Sequence, residues 1–523
     1  MAIQRLGTMI DCSRNAVMKP ETVKQWIRLT GSMGYNCLML YTEDTYTMEG
    51  HPFFGYLRGR YTREELKEMD DYAREQGVEL IPCIQTLAHL RSIFRWPVYE
   101  EIHDCHDILL AEDEKTYQVI DDMLRTCAEC FTSRTVNVGM DEAMFMGLGK
   151  YLQKNGYQNR TEILLRHVKK VAEIAEKYGQ QLIMWGDMFF YLREQGLDIS
   201  QVQAQIPDNV KLIYWDYYSK DTAHYEKRMD SYHVICPDTW FAGGFWCWSG
   251  FTAHNRFAMD AVKAALPACR NKQVENVFFT MWGDDGAECS KFSLLPTLFY
   301  AACLARGEEN MEAIKARFLQ QFGYPFDLFM QLDLPGTPEK ERDFNNAEKK
   351  MLYNDPLLGI HDFSVVKEAG KGYMAAAAAL EEGKSHPLFG YLFDTQQQLC
   401  RLMALKYGFG ERLRKAYQKK DHRGLIACRV ECDTILERME AFYQAFERQW
   451  MKENKPHGFD IQDLRLGGVM RRMQHVKQRI DAYLTGETDR IEELEETILP
   501  LENNGYTNWA DAVSANVIYH IFE

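Results

Sequence analysis

Residues 134–143, Arg-Thr-Val-Asn-Val-Gly-Met-Asp-Glu-Ala, place two adjacent acids directly after a short apolar alternation. This alternation predicts a buried β-strand that ends at a glycine, and it is formed by Val136, Val138 and Met140. Neighbouring strand residues point to opposite faces, so Asp141 and Glu142 can share one pocket only where the strand ends. An acidic pair also begins many helices, where it interacts favourably with the helix dipole. The rest of the chain has to distinguish a catalytic pair from a helix start.

A short apolar run followed by an amphipathic segment recurs from residue 6 to about residue 306. The candidate strands begin at Leu6, Asn36, Val78, Thr135, Gln181, Lys211, His233 and Asn276. The segments between them, such as Pro20–Met33 and Thr161–Tyr178, have helical spacing, and Gly34 and Gly179 are typical C-terminal stops. Eight strand-helix units of this total length predict an α/β fold, a (β/α)8 TIM barrel, over residues 1–310.

Residues 311–523 differ, because turn sequences are followed there by long, charged helical patterns. These patterns cover residues 365–382, 389–418, 422–451 and 465–485. They predict a mostly α-helical C-terminal domain that joins the barrel without a low-complexity linker. Residues 455–468 are interpreted as an irregular loop, which either connects two helices or reaches the barrel mouth or a partner subunit.

Composition and charge exclude several classes of partner. The chain of 523 residues carries 76 acidic and 61 basic side chains, a net charge of −15. Nucleic acids and anionic membranes bind basic patches, so neither is an expected partner. The first residues lack a basic segment before an apolar run, and no later stretch is apolar enough to span a membrane. These features predict a cytoplasmic protein.

No metal or cofactor is expected from the sequence. The 14 cysteines are scattered singly except for Cys127 and Cys130, which indicates reduced, buried thiols. Residues His103–Asp107 contain two histidines, two aspartates and a cysteine, a composition that suggests a metal site. They are interpreted as a solvated loop, because residues so close in sequence cannot all converge on one ion.

Polar and aromatic residues follow the predicted strands at their ends. A barrel gathers these ends on one rim, so the side chains should surround a single cavity. The residues concerned are Asp11, Arg14, Glu43, Asp44, Gln85, His89, Asp141, Glu142, Trp185, Asp187, Trp215, Asp216, Trp246, Trp248, Trp282, Asp284 and Asp285. Acids bind hydroxyl groups and indole rings cover the C–H face of a sugar ring, so this composition predicts a carbohydrate pocket.

The sequence Gly139-Met-Asp-Glu-Ala143 at the end of a fourth strand resembles glycoside hydrolase family 20, the β-N-acetylhexosaminidases. The chain is most similar to compact bacterial members that begin with the barrel and end with a helical domain. The resemblance implies that Glu142 is the general acid and base. It also implies that Asp141 orients the 2-acetamido group of the substrate, which acts as the nucleophile, an exception to the usual pair of protein carboxylates.

The same resemblance assigns further residues. His89 matches the histidine that supports the acid, although Gln85 stands where the family has a carboxylate four residues before it. The indoles that would enclose the acetamide and stack on the sugar ring are Trp185, Trp215 and Trp282. Asp284 matches the carboxylate that binds the outer hydroxyls of the sugar.

Two departures from the family pattern leave roles open. Leu6 precedes Gly7 where the family has arginine, so Arg14 or a group from the helical domain is expected to bind the distant hydroxyls. The tyrosine that bonds the acetamide oxygen is also not evident. The candidates to replace it are Tyr214, Trp240, Trp246 and Trp248.

The predicted function is therefore that of a retaining exo-β-N-acetylhexosaminidase acting on terminal β-linked GlcNAc or GalNAc. Its expected partner is a small oligosaccharide or glycoconjugate, with a homodimer left open. One alternative is another barrel glycosidase with a protein nucleophile such as Asp187 or Asp284. The other is a carbohydrate-binding protein without catalytic activity, since barrels host many functions.

Overall fold

Eight parallel strands close into a barrel, which confirms the predicted fold class. The computed structural model describes residues 3–191, 202–336, 347–366, 368–500 and 509–516. The strands are β1 Arg5–Asp11, β2 Cys37–Glu43, β3 Glu79–Ile84, β4 His103–Cys105, β5 Ile108–Leu109, β6 Thr135–Asn137, β7 Gln181–Trp185, β8 Val210–Trp215, β9 Trp240–Gly244 and β10 Asn276–Met281. Around the barrel the strand order is β1-β10-β9-β8-β7-β6-β3-β2, and β4 and β5 form a separate two-stranded sheet.

Helices alternate with the strands and then dominate the C-terminal part. The first set comprises α1 Pro20–Met33, α2 Arg63–Glu75, α3 Arg91–Phe94, α4 Glu114–Cys130, α5 Lys150–Asn155, α6 Arg160–Glu176, α7 Asp187–Tyr191, α8 Thr222–Ile235, α9 Asn255–Asn271 and α10 Leu295–Ala305. The second set comprises α11 Met311–Phe322, α12 Phe326–Phe329, α13 Ala347–Tyr353, α14 Ala369–Ala379, α15 Gly390–Lys406, α16 Phe409–Gln418, α17 His422–Glu453, α18 Phe459–Thr485 and α19 Trp509–Val513. Short 3₁₀ helices occupy Pro97–Ile102, Lys291–Leu294, Met330–Asp333, Asp362–Ser364, Glu382–Ser385 and Glu492–Leu494.

The barrel strands are buried on both faces, as parallel strands covered by helices must be. Every residue of β2 is buried, including the polar Thr42 and Glu43 at its end. Polar residues at that end need partners because burial without a hydrogen bond is costly. Buried polar side chains at the strand ends must therefore bond one another, so a functional site in this part of the chain is expected there.

One predicted strand was wrong. The apolar run that begins at His233 belongs to α8, and the seventh barrel strand along the chain is β9, a few residues later. The buried residues of α8 are Tyr225, Met229, Tyr232 and Ile235, a helical spacing that the sequence already contains. Two glycines obscured β9, and Gly243 is required because a Cβ there would lie 2.7 Å from the Phe279 ring.

The chain forms two compact units. The first consists of Met1–Phe245, Ala258–Met281 and Leu298–Glu309, and the second of Trp246–Phe257, Trp282–Thr297 and Asn310–Glu523. The second unit therefore includes two segments from within the barrel sequence, those following β9 and β10. Division of the chain into domains at residue 310 remains a prediction.

The long helices of the second unit pack through aromatic rings. Phe446 and Trp450 of α17 both contact Phe459 of α18, with ring centroids 5.8 and 5.6 Å away. The irregular loop predicted for residues 455–468 was wrong, because α18 begins at Phe459 and continues through it. Among the described residues, no helix is both long enough and apolar enough to cross a membrane.

The segment His103–Asp107 forms most of the β4–β5 hairpin and is not the solvated loop expected from its composition. The Asp104 carboxylate is buried and accepts backbone N–H groups of Gly147 and Tyr151, both at 2.8 Å. The hairpin thus fixes the loop that follows the acidic pair. Within the described residues, no group of three or more His, Cys, Asp or Glu side chains could hold a metal ion.

Candidate active site

The backbone after β6 turns both acids toward one partner. Gly139, Met140 and Glu142 have φ angles of 72°, 70° and 51°, so the strand alternation is lost after Asn137. His89 Nε2 lies 3.4 Å from Asp141 Oδ2 and 3.6 Å from Glu142 Oε2. The two adjacent carboxyl groups therefore converge, as a shared site requires. Non-glycine residues with positive φ are strained and occur preferentially at functional sites.

Gln85 at the end of β3 holds Asp141 in place. Its Oε1 accepts the Met140 N–H at 3.1 Å, so its Nε2 has to face the opposite way. Nε2 donates to Asp141 Oδ1 at 2.7 Å and to the Tyr41 hydroxyl at 2.9 Å. Gly139 is required here, because a Cβ would lie 2.0 Å from Gln85 Oε1. Gln85, which stands where the family has a carboxylate, is thus paired with Asp141 in the structure.

His89 is the cation between the acids. Burial alone would lower its pKa, but the Asp141 carboxylate outweighs burial and raises the pKa of His89 to about 9. Asp107 of the β4–β5 hairpin accepts the His89 backbone N–H at 3.1 Å, and the same oxygen lies 3.9 Å from Nδ1. Asp107 was not among the predicted site residues, because it belongs to a short hairpin away from the barrel strands.

The two acids have opposite pKa shifts. Burial would raise the pKa of Asp141, but His89 and the hydrogen bond from Gln85 hold it below its usual range. Partial burial and the negative charge of Asp141 raise the pKa of Glu142, although its side chain is still 56% exposed. Asp141 is therefore the ionised member of the pair, and Glu142 is the one that keeps a proton to higher pH.

Asp187, at the start of α7, is a third carboxyl group at the site. Its Oδ2 accepts the backbone N–H of Glu142 at 3.1 Å, and its side chain also bonds the Trp215 side chain. Within the described residues its Oδ1 has no hydrogen-bond partner. Burial first, and then the charge of Asp141, raise the pKa of Asp187 to about 7. The sequence had suggested Asp187 only as an alternative nucleophile.

Arg14 is a second cation near the acids, and its charge opposes the rise in the pKa of His89. It forms an ion pair with Glu43, whose carboxylate also accepts the Tyr41 hydroxyl at 3.1 Å. Burial raises the pKa of Glu43, while the charges of Arg14 and His89 oppose that shift. The charge of Arg14 also opposes the rise in the pKa of Glu142, so it acts at the acidic pair. The structure thus brings Arg14, His89, Asp141 and Glu142 together.

Comparison with known families covers both parts of the chain. Residues 6–242 match the model "Glycosyl hydrolase family 20, catalytic domain". Residues 326–513 match the model "Glycoside Hydrolase 20C C-terminal domain". Both matched segments are therefore domains of glycoside hydrolase family 20.

Similarity to individual relatives is lower. Hexosaminidase D of Homo sapiens is 24% identical over 245 residues, which are 44% of this chain and 49% of that protein. Hexosaminidase D of Bos taurus is 27% identical over 205 residues, 36% of this chain and 55% of that protein. The matches thus span about half the length of these curated relatives. The β-N-acetylhexosaminidase structure from Bacteroides fragilis has a TM-score of 0.48 at 18% identity, covering 61% of this chain and 69% of that one.

The predicted aromatic residues of this family 20 barrel occupy two kinds of position. Trp185 is fully buried, and its ring centroid lies 5.8 Å from that of Phe278. Trp215 is partly exposed, stacks on Tyr217 at 5.2 Å and bonds Asp187. Trp215 is therefore directly connected to the acidic residues.

Tyr214 is not brought to the acidic pair. Its ring packs against Tyr232 of α8 at 4.9 Å, and its hydroxyl donates to Asp216 at 2.9 Å. Alternation along β8 separates it from Trp215. The structure therefore gives no support for Tyr214 as the group that bonds an acetamide oxygen.

The remaining predicted residues belong to the second unit. Trp248 stacks on Trp246 with centroids 4.1 Å apart. The Trp282 side chain is partly exposed, and its backbone carbonyl accepts from Lys291 Nζ at 2.7 Å. Asp284 is exposed. Their roles toward a sugar remain predictions.

Proposed function

We propose that this family 20 chain is a retaining exo-β-N-acetylhexosaminidase that releases terminal β-linked GlcNAc or GalNAc. The observation that carries the proposal is the pair of adjacent carboxyl groups with opposite pKa shifts, Asp141 lowered and Glu142 raised. Two carboxyl groups whose pKa values are pushed apart are suited to separate acid and base roles. Family membership makes glycoside hydrolysis the reaction.

In the first step the acetamide oxygen of the substrate attacks the anomeric carbon, while the bond to the leaving oxygen breaks. Glu142 donates its proton to that oxygen, so the leaving group departs as a neutral alcohol. Asp141, kept ionised beside His89, accepts the acetamide N–H and stabilises the positive charge of the oxazolinium intermediate. In the second step water attacks the anomeric carbon and breaks its bond to the acetamide oxygen, which opens the oxazolinium ring. Glu142 takes a proton from this water, so its acid form is restored.

A protein nucleophile fits the geometry less well. Asp187 is buried, bonds the Glu142 backbone and has its pKa raised to about 7, so below that pH it is neutral and weakly nucleophilic. In the proposed mechanism it instead fixes the backbone of the acid.

A panel of chromogenic β-glycosides tests this function. The N-acetylglucosaminide and N-acetylgalactosaminide should be hydrolysed, and Glu142→Gln and Asp141→Asn should each lower kcat by about 100-fold or more. A thiazoline analogue of the cyclised intermediate should inhibit tightly. Equal hydrolysis of a β-glucoside, which has no acetamido group, would refute the mechanism. A covalent glycosyl-enzyme detected by mass spectrometry would indicate a protein nucleophile instead.

Two broader assignments belong to the same proposal. The compact bacterial type is proposed from the order of the two matched domains. A reducing, cytoplasmic location is proposed from the cysteines, which are all free thiols in the structure. Secretion of an active, disulfide-linked form would contradict the second assignment.

A further inference from the structure

Residues 282–290, which follow β10 and lie in the second unit, form a loop that carries two of the predicted sugar contacts. Trp282 is partly exposed and Asp284 is exposed, whereas Glu288 is buried. Gly286 and Ala287 have φ angles of 112° and 54°, so the backbone reverses between the exposed and buried parts. A strained loop of this kind keeps one conformation only when surrounding groups fix it.

A buried lysine from α13 binds the middle of this loop. Lys349 Nζ lies 2.9 Å from the carbonyl oxygen of Asp285 and 2.8 Å from its carboxylate Oδ2. The same ammonium donates to Glu288 Oε2 at 2.6 Å. The side chains of Lys349 and Glu288 are each only 1% exposed. Buried charges persist only when they are paired and hydrogen-bonded, as these are.

An arginine from α18 binds the same two loop residues. Arg465 Nη1 donates to the Asp285 carbonyl at 2.9 Å and lies 3.1 Å from Glu288 Oε1. One turn earlier, Gln462 Nε2 donates to the Gly286 carbonyl at 3.2 Å. Three positions of the loop, residues 285, 286 and 288, are thus fixed by side chains from two helices. A Cβ at residue 286 would lie 2.4 Å from Arg465 Nη1, so glycine allows the close approach.

We propose that Lys349 and Arg465 are positioning residues for sugar binding, because they fix the loop that carries Trp282 and Asp284. The inference rests on the proposed function and on the sugar contacts that the family resemblance predicts for Trp282 and Asp284. It gives the helical C-terminal part a role in substrate affinity. Neither cation is expected to touch the substrate.

Arg465→Met and a matched control on the same helix test this inference. The control is Arg472→Met, which removes an ion pair with Asp355, a carboxylate whose side chain is 3% exposed and which lies outside the loop. Arg465→Met should raise KM for the N-acetylglucosaminide by about tenfold with a smaller change in kcat, whereas Arg472→Met should change KM by less than about twofold. Arg465→Lys, which keeps the cation, should recover part of the affinity.

A second measurement follows the loop itself. Amide hydrogen exchange in peptides covering residues 282–291 should be faster in Arg465→Met than in Arg472→Met. If Arg465→Met does not fold, Gln462→Leu removes a single neutral bond to the loop and should raise KM in the same direction. Equal KM values and equal exchange in the matched pair would overturn the inference while the wild-type enzyme remains active. A wild-type enzyme without turnover would refute the proposed function instead.

Discussion

Replacement of Asp187 by asparagine should change how stability depends on pH. The pKa of Asp187 is raised to about 7 in the folded chain, against roughly 3.9 for an unfolded aspartate. Between these values the folded state holds a proton that the unfolded state has released. The free energy of unfolding therefore falls as pH rises through that window. Asparagine keeps an acceptor for the Glu142 N–H but cannot ionise.

The size of the effect follows from the two pKa values. Linkage of proton binding to folding means that the raised pKa of Asp187 lowers the free energy of unfolding by about 1.5 kcal/mol at pH 5 and by about 4 kcal/mol at pH 8. Relative to wild type, Asp187→Asn should therefore gain about 2.5 kcal/mol of stability between these two pH values. Urea unfolding followed by tryptophan fluorescence at both pH values measures the difference, and subtraction of wild type cancels the other titrating groups.

The control is Asp238→Asn, which changes a carboxylate whose side chain is 72% exposed. This variant should follow wild type within about 0.5 kcal/mol at both pH values. If the free energy of unfolding of Asp187→Asn also changed with pH as that of wild type does, the Asp187 carboxyl group of the folded wild type would be ionised across the whole range. The assignment of Asp141 as the ionised member of the group formed by Asp141, Glu142 and Asp187 would then be wrong.

Three further predictions concern the surroundings of Asp141. Gly139→Ala should lower Tm strongly, because its Cβ would meet the Gln85 amide, whereas Gly156→Ala, at a similar φ but in open space, should cost only about 1 kcal/mol; equal losses would contradict this. Gln85→Met should lower kcat/KM by about tenfold and move its acidic limb to higher pH, because the pKa of Asp141 rises without that hydrogen bond; an unchanged limb would show that the bond is not needed. The raised pKa of His89 stabilises the folded state at low pH, and this stabilisation is lost as pH rises from the unfolded histidine pKa through about 9. His89→Asn should therefore remove that loss of stability. A pH profile of stability like that of wild type would argue against the ion pair.

The barrel and its acidic pair could be predicted because they depend on local patterns. Seven of the eight strands show as apolar runs, and β2 is buried at every position. The remaining strand, β9, could not be found because Gly243 is selected by the nearby Phe279 ring, a contact between strands that no local pattern reveals. The length of α18 was also missed, because its two internal glycines suggested a loop.

The candidate site was predictable in its residues but less so in its pairings. Both Gln85 and His89 follow the end of β3, and the structure brings them close to Asp141. Their partners depend on the three-dimensional structure: Gln85 bonds Asp141, and the backbone of His89 is held by Asp107. The direction of Tyr214 followed from packing against α8, whose C-terminal end had been predicted as a strand beginning at His233.

The amide at residue 85 has a physical explanation in the arrangement of charges. Asp141 needs a donor at Oδ1, and a carboxylate at residue 85 could donate only if it carried a proton. A second ionised carboxylate at 2.7 Å would raise the pKa of Asp141, the opposite of what a stabiliser of positive charge requires. The amide donates without adding charge, so no carboxylate at residue 85 competes with Asp141 for His89. Asp187, whose pKa burial and the same charge raise to about 7, completes a site in which the pKa of Asp141 is lowered while the pKa values of its two neighbouring acids are raised.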